Sequence, residues 1–407
     1  MKKSIFIISL LTSYILLGGC DPIAKESETN DERPFIITPA DIPNTGILFV
    51  DHEINHRSGH GGHAMTECKN GDIIAFYMNV WAENWQGHSC AGWSSYKRST
   101  DGGKTWGDPV DFEYSVELWN RTDVLSGMVF DVTTAPNGTL IATVIRFKHA
   151  RWDVQYPPAY LLSHDNGHTW DGPYEFDESV TAHDISITFG ATFVRENEVF
   201  IVFNGDSIPY SPVSDRPHSL WVSDNNGESF SQRSVLPFDG ARYYETAAVL
   251  DNGDIIVYTY PWSVPREEID EFNLEYVISK DGGFTWSEVK TTYFAKALRN
   301  PQMSEKIGDY YFIHGRSGSY RHNRPAHDND PGPQNFVLYS SKDGINWCDG
   351  VLLVSRDKTP GQSDFYSGNT VIGKYDPSTP KRLLIQADVS YDGTRRVNIH
   401  HWWVELL

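Results

Sequence analysis

Cysteine is scarce, with four residues in 407, at positions 20, 68, 90 and 348. No CxxC pair occurs, so the usual signature of a thiolate zinc site or redox dithiol is missing. One bridge, Cys68–Cys90, stays open in an oxidising compartment, with Cys348 left over. Zinc ligation by Cys348 with His400 or His401 has no supporting spacing. Basic residues are outnumbered 34 to 54, for a formal net charge of −20. That field argues against a nucleic-acid partner and against a basic membrane-docking patch. It leaves room for an anionic sugar, because a pocket needs only two or three local Arg or His residues. Long helical periodicity is absent throughout, which argues against any helical architecture. One predominantly apolar run exists, Ile5–Leu17, and it is too short to span a bilayer stably.

That run belongs to a leader. Lys2-Lys3 precede it, and Leu17-Gly18-Gly19-Cys20 follows in the manner of a bacterial lipobox. This resemblance implies cleavage before Cys20, lipidation of Cys20, and a protein tied to a bacterial membrane on its periplasmic or outer face. Residues 20–34 are polar and acidic and read as a flexible tether. Residues 35–407 then form one domain. Aromatics reach 13% of the chain, enough for a large core and for surfaces that stack on sugars.

Five segments of that domain repeat the pattern Ser-x-Asp-x-Gly-x-Thr-Trp. They begin at Ser99, Ser163, Ser223, Ser279 and Ser341, spaced 64, 60, 56 and 62 residues apart. Asp and Gly suit a tight hairpin turn, Ser or Thr hydroxyls bond its backbone, and the aromatic residue fills the gap between neighbouring sheets. Trp106, Trp170, Trp286 and Trp347 are therefore expected to be largely buried. Between boxes, alternating strands flank Asn-Gly turns, as at Asn137-Gly138 and Asn252-Gly253. Units of about 60 residues with four strands each, wound round an axis, predict an all-β propeller. Five boxed units precede the strands Ser367–Ile372, Leu383–Val389 and Val397–Glu405, three of a sixth. Gly46–Asp51 would supply the missing strand and close the ring. Six blades are expected, with seven the alternative if Phe35–Ile54 hides another.

The boxes resemble the Asp-box repeats of sialidases and related propellers. Sialidase activity calls for an arginine triad often announced by Arg-Ile-Pro, which this chain lacks, and Tyr243-Tyr244-Glu245 is a loose candidate for its Tyr/Glu pair. The inner strand of each blade begins at the mouth of the axial tunnel. Polar starts converge there: His60-Gly61-Gly62-His63, His183-Asp184, Tyr244-Glu245, Arg299-Asn300 and Tyr366-Ser367. Together with Arg57–Ala64, His314-Gly315-Arg316 and His401-Trp402-Trp403, the chain looks like the propeller group of ulvan lyases and a rhamnosidase that releases rhamnose from glucuronate. The resemblance implies catalytic roles for His63, His88 and Arg146. It puts Phe130 where the lyases carry a tyrosine, which implies weak cleavage within chains and better action at chain ends.

The chemistry fits these residue types. β-Elimination at a uronic acid removes the C5 proton and expels the C4 oxygen, so the carboxylate must be neutralised by Arg or protonated His. Arg146 would neutralise, His63 would act as base and His88 as acid, each worth about 10²–10⁴-fold in rate. His60, Tyr244, Glu245, Arg299, Asn300, Arg316 and Tyr366 would bind substrate. No cofactor is required, and a structural metal stays open. The expected partner is an acidic, sulfated oligo- or polysaccharide, with membrane contact only through the lipid on Cys20, and a monomer is expected. Two other classes remain: a glycoside hydrolase of the same architecture (rhamnosidase or sialidase), and a surface protein that only captures glycans.

Overall fold

The computed structural model describes residues 33–39, 46–84, 91–121, 125–148, 151–176, 186–206, 217–240, 242–260, 273–317, 335–355 and 365–407. The compact unit begins at Phe35 and ends at Leu407. Its strands fall into six antiparallel sheets, each a meander of four strand positions from axis to rim. The protein is a six-bladed β-propeller.

The inner strands are Arg57–Ser58 with Met65–Glu67 (blade 1), Leu125–Thr134 (blade 2), Ser186–Arg195 (blade 3), Tyr243–Val249 (blade 4), Leu298–Met303 (blade 5) and Ser367–Ile372 (blade 6). Second strands such as Ile73–Met78 and Ile255–Tyr260 are apolar on both faces, because a sheet lies against either side of them, while those of blades 5 and 6 interrupt the run with His314, Arg316, Gln386 and Asp388. Six clusters of buried side chains result, one in each gap between neighbouring blades. Phe193, Val202 and Leu220 of blade 3, for instance, meet Ile255, Val257 and Val277 of blade 4.

The ring closes through both chain ends. Val397–Leu406 of blade 6 pairs with Phe35–Thr38 (Phe35 opposite Leu406) and, further along, with Ile47–Val50 (Ile47 opposite His401). The expected closing strand is therefore present but comes in two pieces. Phe35–Ile54 builds no seventh blade.

The five boxes join third to fourth strands at one end of the ring, called here the box end. In the first, Ser99 Oγ donates to Asp101 at 2.8 Å and accepts the Gly103 N–H at 2.8 Å, while Asp101 accepts the Thr105 N–H at 2.9 Å. The boxes at Ser163 and Ser279 repeat this, and that at Ser223 does so with Asn225 in place of Asp. The aromatic residue of each box packs on the preceding blade: Trp170 on Phe76 and Phe112, Trp347 on Tyr258 and Phe294, Trp106 on Phe49 and His401. All four tryptophans are half-buried rather than largely buried, because they cap the gap from its rim. One short helix, Glu113–Asn120, covers the far end of blade 1. Cys68 is a free, buried thiol whose Sγ donates to the Asn166 carbonyl, and burial pushes its pKa up to about 11. Cys90 and the leader with Cys20 lie outside the described residues.

Candidate functional site

At the end opposite the boxes, the inner strands leave regular pairing at equivalent heights. Register breaks fall between Val129 and Asp131, Phe189 and Ala191, Tyr243 and Thr246, and Arg299 and Gln302. In blade 1 the strand is interrupted by Gly59–Ala64, where Gly61 (φ 87°) and Gly62 (φ 68°) adopt left-handed backbone. Tyr244 (φ 59°) and Asn300 (φ 49°) take it without glycine's freedom, a strain of roughly 1–3 kcal/mol each. Bulges of this kind re-aim side chains. Here they turn His63, Phe130, Tyr244, Asn300 and Tyr366 onto one axial cavity of about 130 Å³. Its far end is crossed by the ion pair of Lys374 with Glu305 at 2.9 Å.

Around the mouth, Tyr366 is the hub. The Arg316 guanidinium lies 3.9 Å over its ring, the His60 ring meets it edge-on at 4.5 Å, and its hydroxyl is 3.4 Å from that of Tyr244. Burial first, and then the Tyr366 hydroxyl, push the Tyr244 phenol well above its ordinary pKa, so it stays a proton donor. Arg316 is buried, and its Nε and Nη2 have no hydrogen-bond partner among the described residues. Arg299, also buried, is its cross-strand neighbour. Both are buried cationic side chains, and neither is among the residues that line the cavity itself.

Asp388, on the second strand of blade 6, holds the histidines of blade 1. Its carboxylate is 2.8 Å from His60 Nδ1 and 3.7 Å from His63 Nε2, and accepts the Tyr366 N–H at 2.9 Å. Burial alone would raise this carboxyl, but the adjacent His60 and His63 hold it well below the usual range. Burial lowers the His60 pKa, with Asp388 opposing, so the ring is neutral and donates through Nδ1. That tautomer puts the lone pair on Nε2. A second network runs inward: the Gln386 amide donates to His63 Nδ1 at 3.2 Å and accepts from His401 Nε2 at 2.9 Å.

The residues singled out in sequence divide into four groups. His63, Tyr244, Asn300 and Tyr366 line the cavity, and His60 and Arg316 pack on Tyr366 without lining it, with Arg299 beside Arg316. Glu245 sits behind them, gripped by His218 Nδ1 and by Asn204 Nδ2 at 3.2 Å. Arg146 lies elsewhere: its Nε donates to the Pro157 carbonyl at 2.6 Å and its Nη2 to Glu175 at 2.8 Å, and it does not line the cavity. His88 and His183-Asp184 lie outside the described residues. Sequence reading missed Asp388 and Gln386, though two polar residues inside the otherwise apolar run Leu383–Val389 are a signal that each must meet a polar partner. It also passed over His52-Glu53-Ile54-Asn55-His56, the spacing of a helical zinc motif. That stretch is a single 3-10 turn with His52 buried and His56 exposed, and no cluster of metal-ligating residues occurs among the described residues.

No family model matches the chain, and no curated protein matches it in sequence. Solved structures do. A protein of unknown function from Dyadobacter fermentans superposes with a TM-score of 0.65 at 14% identity, over 90% of this chain and 99% of that one. The Hadza microbial sialidase Hz136 gives 0.62 at 15%, over 88% and 68%. Penicillium chrysogenum α-L-arabinanase gives 0.54 at 13%, over 89% and 98%. At these identities the likeness is one of fold: a sialidase-like β-propeller.

Proposed function

We propose that this propeller is a carbohydrate-active enzyme that binds an acidic sugar at the axial mouth and eliminates across its C4–C5 bond. The observation that carries the reading is Arg316, a buried guanidinium with no carboxylate partner among the described residues, beside a proton acceptor and a proton donor. Arg316, backed by Arg299, would hold the sugar carboxylate and so acidify C5–H. Neutral His60, oriented by Asp388, would take the C5 proton on Nε2. The C–H electrons form the C4=C5 double bond as the C4–O bond breaks, and the leaving oxygen takes the Tyr244 proton. Tyr244 is then reprotonated as His60 releases its proton to solvent. His60 thus takes the base role that sequence gave to His63, and Arg316 the neutralising role given to Arg146. His63 remains the second histidine on Asp388. Loss of a sugar from C4 makes the enzyme a lyase; loss of the free 4-hydroxyl makes it a dehydratase. Sulfated, ulvan-type glucuronate oligosaccharides are the substrates that the sequence resemblance favours. The lipobox favours a membrane-anchored exoprotein.

One observation favours a second reading. Tyr244 stands next to the buried Glu245, a Tyr/Glu adjacency suited to a hydrolase with a tyrosine nucleophile. The sialidase and arabinanase among the fold neighbours agree with it. One experiment separates the two. The mature protein is incubated with acidic oligosaccharides, and products are read by mass and by the ultraviolet absorbance of a conjugated acid. Elimination predicts new absorbance, abolished in His60→Ala and in Arg316→Met, with Arg316→Met melting no lower than wild type because an unpaired buried charge has been removed. Water gained in the products without absorbance would overturn elimination in favour of hydrolysis.

A further inference from the structure

Tyr244, the proposed proton donor, holds a backbone that its own side chain disfavours. Its φ of 59° falls within the register break between Tyr243 and Thr246, on the inner strand of blade 4. A bulky residue keeps left-handed backbone only where its surroundings over-determine it. Those surroundings come from blade 3. Asn204, buried on the second strand (Glu198–Asp206), donates through Nδ2 to the Arg242 carbonyl at 2.8 Å and to Glu245 Oε1 at 3.2 Å. It thus clamps the chain on both sides of Tyr243-Tyr244. His218, which opens the third strand (His218–Ser223), donates through Nδ1 to the same Glu245 Oε1. Its Nε2 faces the Asp239 carbonyl oxygen at 3.0 Å.

The contact is an ion pair. With an oxygen acceptor at each ring nitrogen of His218, both nitrogens carry hydrogen and the ring is cationic. His218 and Glu245 are fully buried, and neither lines the axial cavity. Glu245 Oε2, without a hydrogen-bond partner among the described residues, lies against Gly190 of blade 3. A Cβ added at Gly190 would stand 2.5 Å from that of Glu245, so glycine is what lets this side chain pass. Desolvation offsets most of the attraction within a buried pair, which makes the pair a poor source of net stability. What it does fix is the place of Glu245, one residue from Tyr244.

We propose that His218 is a positioning residue: with Glu245 and Asn204 it forms the seat that holds Tyr244 where its hydroxyl meets the leaving oxygen. The inference rests on the axial reading, in which Tyr244 donates that proton. The test replaces both charges together, His218→Leu with Glu245→Met, because removing one alone strands a buried charge. The paired variant should melt close to wild type. Its kcat should fall about a hundredfold with KM within about twofold, since the donated proton counts only in the transition state. His218→Gln, which can still donate to Glu245, should recover most of that loss. A crystal structure of the paired variant should show Tyr244 at negative φ with its hydroxyl withdrawn from Tyr366. Wild-type kcat in the paired variant, or Tyr244 unmoved in its structure, would overturn the seat. Should the paired variant not fold, Gly190→Ala displaces Glu245 with both charges kept. The same loss of kcat and the same shift of Tyr244 are expected there, and the absence of either overturns the seat equally. If wild type forms no unsaturated product from any acidic sugar, the axial reading alone fails, and the place of Tyr244 in the variant structure still decides the seat.

Discussion

Four buried histidines, His52, His60, His314 and His401, are held neutral, and that fixes how the molecule answers to acid. Burial is the leading cause in each, and it brings His52 and His314 down to about 3. An unfolded histidine takes up its proton near pH 6.5. Below that pH the unfolded chain binds more protons than the native one, so stability falls as pH drops from 6.5 towards 3. The slope is up to about 1.4 kcal/mol per pH unit for each such histidine. Asp388, held low by His60 and His63, adds in the same sense, its contribution being lost only as pH falls below the ordinary carboxylate range. Asp131, which burial pushes up to about 6, works the other way but is a single group. Melting temperature should therefore fall steeply between pH 6.5 and 4, and His314→Asn should flatten the curve. His314 is a fair probe because it bonds Ser367 and Asn369 and lies outside the proposed chemistry. A melting temperature flat across that range would show that these rings are protonated in the native state.

Among elements, the box turns are the most independent of their surroundings, and this is why they could be read. Each closes on itself within a few residues, so Ser99, Asp101 and Gly103 announce the turn wherever they fall. Trp170 should cost about 2–4 kcal/mol when cut to Ala, at or just below the range for fully buried aromatics because it is half-exposed. Chemical denaturation checks this, and activity at low temperature should survive. Strand count and ring closure were legible for the same reason: apolar runs and turn residues recur with the blade. The bulges were not. Nothing local marks Tyr244 for left-handed backbone, since the strain is imposed by the ring, and Asn300 carries only the general tolerance of asparagine for it. Nor was the partnership of His60 with Asp388 visible, because those residues are 328 positions apart and meet only once blade 6 lies against blade 1. Gly368 marks that seam, where an added Cβ would overlap the His63 carbonyl oxygen. Titratable residues could be listed from sequence; which of them share one mouth depended on contacts across the ring.

The whole molecule joins its function to its closure. Asp388 and Tyr366 belong to blade 6, His60 and His63 to blade 1, and the same seam is sealed by Phe35–Thr38 and Ile47–Val50 on Val397–Leu406. Phe35, Ile37, Phe49 and Val50 are buried there. At about 1.5–3 kcal/mol for each such side chain, their burial contributes about 6–12 kcal/mol before the cost of ordering the strands. That gross figure is comparable to the entire stability of an ordinary domain, about 5–15 kcal/mol. A chain beginning at Pro34 keeps both closing strands, so it should melt and turn over like the mature protein. A chain beginning at Asp51 loses both, and should fail to fold or lose the axial site with its stability. The lipid is a separate matter. If Cys20 carries it, Cys20→Ala should move the protein from the detergent phase to the aqueous phase with kcat/KM unchanged. Wild-type partition in Cys20→Ala would remove the lipid assignment, and activity lost by starting at Pro34 would show that residues 20–33 do more than tether.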